Sequence, residues 1–115
     1  MNDKEIQEYR KATTKVLGFE IEDHELLSRV YRNYKTQFVV KVKDWKPDLK
    51  ENADQREMIE DWLIEQDRHM TGTSSVRSDG SWLAWIGPHE GRDKFKPIAF
   101  MKAFMEYIKS TKTEK

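Results

Sequence analysis

The stretch GSWLAWIGPHEGRDKF, residues 80 to 95, places two tryptophans in the five residues WLAWI and then turns polar and charged. Side chains alternate between the two faces of a strand. Trp82, Ala84 and Ile86 therefore share one face, and Leu83 and Trp85 share the other. Both faces are apolar, whereas a strand wetted on one side would alternate apolar with polar residues. WLAWI is thus predicted to lie inside a sheet, with helices over both faces. A stacking platform for single-stranded nucleic acid would interleave basic residues with the aromatics, and WLAWI has none.

The flanking sequence fits such a sheet. TSSVRSDGSWLAWI reads as a hairpin turning at Asp79 and Gly80. TQFVVKVKDW reads as a strand, with Phe38, Val40 and Val42 on one face and Val39, Lys41 and Lys43 on the other. Residues 4 to 17 form a predicted helix, capped by Asp3 and ended by Gly18, with Ile6, Tyr9, Thr13, Val16 and Leu17 along one stripe. A second helix is predicted from Asn52 to Met70, burying Met58, Ile59, Trp62, Leu63, Gln66 and Met70 and turning Glu60 to solvent. Leu26, Leu27, Val30, Tyr31 and Tyr34 also fall at helical spacing. They predict a helix over 24–34, although their β-branched and aromatic content suits a strand too. The last helix starts near Pro97 and reaches about Ser110. Ile98, Met101, Phe104, Met105 and Ile108 make one stripe, and Phe100, Ala103 and Tyr107 a second. The expected fold is α+β: a three-layer α–β–α sandwich around a small mixed or antiparallel sheet. It forms one domain over residues 1–110, with 111–115 a disordered tail.

The order of these elements resembles the phage ABA sandwich domain family. The likeness is carried by VLGF after the first helix, DWKPD after the strand, Gln55 and MIEDWL in the next helix, the tryptophan strands, and PIAFMKAFMEYIK at the end. It implies a phage or prophage protein with an α–β–α fold and brings no catalytic residues with it.

Composition narrows the function. Lys and Arg number 21, as do Asp and Glu, so the net charge is zero. A dedicated DNA binder carries a basic excess. There is no cysteine, hence no disulfide and no thiolate chemistry. No apolar run is long enough to span a bilayer and no apolar leader opens the chain, so a cytoplasmic location without membrane attachment is expected. His24, His69 and His89 are too scattered for a metal set, and there is no phosphate loop or nucleophile elbow. The expectation is a non-enzymatic protein needing no cofactor or metal.

GPHEGRDKFK is the best sequence candidate for a ligand site. His89, Glu90, Arg92, Asp93 and Lys94 gather titratable groups there, and Arg92 offers a fork for carboxylate or phosphate. A solvated connection is the simpler reading of the same residues. KVKDWK sets Lys41, Lys43 and Lys46 around Trp45, a combination suited to nucleic acid. An edge strand guarded by lysines explains it as well. The second stripe of the last helix is most simply buried. The alternative is a homodimer through Phe100, Ala103 and Tyr107. The functional expectation is a small phage-type protein that binds a host protein or a small charged ligand, with countering a host process as one role for such binding. A nucleic-acid accessory protein using Lys41, Lys43, Trp45 and Lys46 is the alternative.

Overall fold

The computed structural model describes residues 3–26, 28–67, 71–76 and 78–113. They form an α+β chain with three helices and six strands, divided into two compact units, 1–47 and 48–115. The strands make two antiparallel sheets of three, where one small sheet was expected. Each strand pairs with its sequence neighbour through a short turn, which keeps the pairing local to each unit.

In the first unit, helix α1 spans Asp3–Val16 and buries Tyr9, Thr13 and Thr14. Gly18 ends it at φ +72. The Gly18 N–H bonds the Lys15 carbonyl (3.2 Å) and the Phe19 N–H bonds the Thr14 carbonyl (3.0 Å), the paired closure of a Schellman motif. Strands β1 (Glu20–His24), β2 (Ser28–Asn33) and β3 (Phe38–Lys41) follow in spatial order.

The helix expected over 24–34 is therefore a correction: this segment is the end of one strand, a turn and the next strand. Its apolar spacing was misleading because Leu26 and Tyr34 sit in turns, 88% and 53% exposed, and Val30 alone of the four described is buried. Leu27 lies outside the described residues. Two features favour strands. Arg32 donates to Glu22 across the pair at 2.8 Å. Asn33 folds the next turn, its side-chain oxygen accepting from the Lys35 and Thr36 N–H groups.

After β3 a 3₁₀ turn, Val42–Asp44, leads into Trp45. The Trp45 ring is 1% exposed. It meets Phe19 edge-on at 5.0 Å and Phe38 at 6.4 Å, and its indole N–H donates to the Thr13 hydroxyl at 2.9 Å. Thr13 in turn donates to the Arg10 carbonyl at 2.7 Å, so its O–H is occupied and its lone pairs face the indole.

In the second unit, helix α2 (Ala53–Asp67) buries Gln55, Ile59 and Leu63, while Met58 and Trp62 are half-buried. Arg68, His69 and Met70 lie outside the described residues, as does the Gln66 side chain. Glu60, expected in solvent, is half-buried. Burial pushes its carboxyl above the ordinary value, and Glu57 and Asp61 push the same way. Arg56 and Lys96 offset only part of this. Folding thus favours protonated Glu60. The ionised form costs stability, a loss that develops as pH rises from the unfolded pKa to the folded one. Glu60→Gln is expected to raise the melting temperature at pH 7, and the gain should vanish below about pH 4, where both side chains are neutral. Melting curves across that range check both halves.

Strands β4 (Thr71–Val76), β5 (Ser81–Ile86) and β6 (His89–Asp93) place the tryptophan strand at the centre of the second sheet. Helix α3 (Lys96–Thr113) lies along β5 and β6 and buries Ala99, Phe100, Met101, Ala103, Phe104, Tyr107 and Ile108. It continues to Thr113, into the segment expected as a tail; residues 114 and 115 lie outside the described ones. Ala84 and Ile86 are buried, but Trp82, Leu83 and Trp85 are only half-buried. Lys96 sits over the Trp82 ring at 5.2 Å. Both tryptophan rings therefore remain partly accessible, where full burial was expected.

Candidate functional site

GPHEGRDKFK, expected as a loop, is mostly the edge strand β6. Gly87, at φ +56, and Pro88 make a two-residue turn, and Ile86 then pairs with His89. A strand sends alternate side chains to opposite faces, which disperses the expected ligand set. His89 and Asp93 are half-buried and engaged with α3. The His89 ring lies 3.2 Å from the Ser110 hydroxyl and edge-on to Tyr107. Asp93 accepts from Lys102 at 3.0 Å and from the Phe95 N–H at 3.0 Å. Burial alone would raise the Asp93 carboxyl, but these two hydrogen bonds and the Lys102 charge outweigh it and hold the group below its usual value. Glu90, Arg92 and Lys94 are exposed. The five residues do not converge on one point.

The basic–aromatic patch is also rearranged. Trp45 is turned into the interior and offers no face to a base. Lys46 is half-buried. Lys41 and Lys43, however, line a depression of about 420 Å³ together with Leu26, Ser28, Arg29 and Val42. The fold assembles it from three pieces. Arg29 comes from the start of β2, Lys41 from the end of β3, and Lys43 from the 3₁₀ turn. The Val30–Lys41 pairing in the ladder brings the start of β2 to the end of β3, so that both strand ends border the depression. Ser28, at the rim, holds a left-handed backbone at φ +64 where the hairpin returns.

Asp23 approaches Arg29 at 3.5 Å, but both side chains are largely exposed, so this ion pair is weak and replaceable. The residues that line it include three basic ones, a serine and two aliphatic ones, a set whose chemistry suits a negative group. Sequence reasoning found Lys41 and Lys43 but missed Arg29, Ser28 and Leu26, which it had assigned to a helix.

The stripe considered for a homodimer is interior: Phe100, Ala103 and Tyr107 are 2%, 0% and 4% exposed within the single chain. Among the described residues no three of His, Asp and Glu group as a metal site, and no helix is long and apolar enough to cross a membrane. His69 and the side chain of His24 lie outside the described residues. Comparison with protein-family models, curated proteins and solved structures finds no match, so the phage-type resemblance rests on its quoted motifs and the candidate site on its own geometry.

Proposed function

We propose that this chain acts by binding, and that its ligand presents negative charge to the depression formed by Arg29, Lys41 and Lys43. The observation that carries this reading is that three basic residues, from two strands and a turn, line one depression. It keeps the small charged ligand expected from the sequence and moves its site from β6 to the first unit. A host protein, as the phage resemblance implies, would enter through an acidic face. Neighbouring like charges in a concave site raise the local potential and attract anions most strongly at low salt.

Citrate and pyrophosphate are suitable probes, followed by amide and side-chain chemical shifts. Either anion is expected to move the signals of Arg29, Lys41 and Lys43. Replacing both lysines (Lys41→Glu with Lys43→Glu) should weaken binding about tenfold or more, because charge-assisted contacts become repulsive ones. Raising salt from about 50 to about 300 mM should weaken it further. Equal binding by the parent and the double variant would remove the reading.

A further inference from the structure

The depression has a second character besides charge. Leu26 is 88% exposed at the tip of the β1–β2 hairpin, and it lines the same concavity as Val42 and the three cations. Leu26 and Val42 together give the lining an apolar part beside its basic residues, which suits a ligand that brings apolar and anionic groups together. We propose that the depression receives an acidic protein segment in which an apolar side chain is flanked by carboxylates. This rests on the anion-binding reading above and names the class of ligand.

Three observations favour a protein segment over a nucleic acid. No aromatic ring lines the depression, so bases have nothing to stack on. Trp45, the nearest candidate in sequence, is buried. The chain has no net positive charge to draw in a phosphate backbone. The chemistry matches carboxylates instead. Arg29 already faces one, Asp23, at 3.5 Å, in a weak pair that an incoming carboxylate would replace. Ser28, also in the lining, has a hydroxyl able to donate to a carboxylate. A volume of about 420 Å³ admits a few side chains and lies within the usual range for ligand sites.

The test uses the full chain and four probes: a short capped peptide with leucines among glutamates, the same peptide with serine for leucine, citrate, and oligothymidylate. Calorimetry gives affinities and amide shifts give the place. The leucine–glutamate peptide is expected to bind at least about fivefold more tightly than its serine counterpart, since each buried apolar side chain adds to the charge term. Leu26→Ser should erase that preference, with the fold intact by circular dichroism. Lys41→Glu with Lys43→Glu should weaken both peptides, with the fold intact by circular dichroism. If the two peptides bind equally while citrate still shifts Arg29, Lys41 and Lys43, the protein-segment proposal fails and the anion site stands. If oligothymidylate binds more tightly than either peptide at this place, the ligand is a nucleic acid and the proposal is overturned. If no probe moves these three residues, both readings fall.

Discussion

Gly91→Ala is expected to destabilise the second unit by about 3 kcal/mol or more, the upper range for overpacking. Gly91 pairs with Ala84 at the edge of the sheet, directly beneath α3. A Cβ placed there would fall on the Ala99 carbonyl oxygen and lie 2.5 Å from the Ala103 nitrogen and 2.6 Å from the Lys102 Cβ. Two of these three atoms belong to the helix backbone and have no rotamer to change. The helix itself would have to lift, exposing Phe100 and Phe104, now 2% and 0% exposed. Gly72 provides the control. Its added Cβ would meet Trp85 ring atoms at 2.5, 3.0 and 3.1 Å, but these belong to a half-buried side chain with torsions to adjust, not to backbone. Gly72→Ala should therefore cost only about 1 kcal/mol, partly offset by the lower entropy of the unfolded alanine chain. Urea denaturation followed by circular dichroism separates the two. If Gly91→Ala melts with the parent, α3 does not sit against β6 as described.

The same glycine explains why β6 was hard to read. HEGRD contains no β-branched or aromatic residue, so nothing in its composition favours a strand. What commits it is the two-residue turn at Gly87 and Pro88 and a position, Gly91, where having no side chain is what the packing demands. The turn was visible in the sequence; the approach of α3 was not. Elsewhere the local signals sufficed. α1, β3, α2 and the hairpin turning at Asp79 and Gly80 lie close to where periodicity and turn residues put them, because the signals for each are local in sequence. Ser81 completes that last turn by donating both its N–H and its hydroxyl to Asp79, which holds the Asp79 carboxyl below its usual value. The β1–β2 hairpin failed because Leu26 lends helical spacing to a segment in which it is not buried at all. The site failed with it: Arg29 and Leu26 reach Lys41 and Lys43 only through strand pairing, which a helical reading of 24–34 precludes.

Trp45→Ala is expected to cost about 3–5 kcal/mol, the usual loss for truncating a buried large aromatic. Its position among lysines in KVKDWK suggested a surface ring. The partner that turns it inward, Thr13, lies 32 residues earlier in the chain, beyond the reach of local pattern. Removing the ring takes the edge-on partner from Phe19 and leaves the Thr13 hydroxyl without its donor. Thr13→Val tests the hydrogen bond separately. It keeps the volume but strands a buried indole N–H, at about 1–3 kcal/mol. The double variant should lose less than the sum of the two singles, since both remove the same bond. The consequence reaches the depression although Trp45 does not line it. The Trp45 backbone N–H, which alanine would keep, closes the 3₁₀ turn on the Val42 carbonyl at 3.3 Å, and that turn, which carries Lys43, is held to the interior by the ring. With the ring gone the turn loses its anchor, and citrate binding should fall while Arg29 and Lys41 keep their charge. Undiminished citrate affinity in a folded Trp45→Ala chain would show that Lys43 is placed by something other than the buried ring.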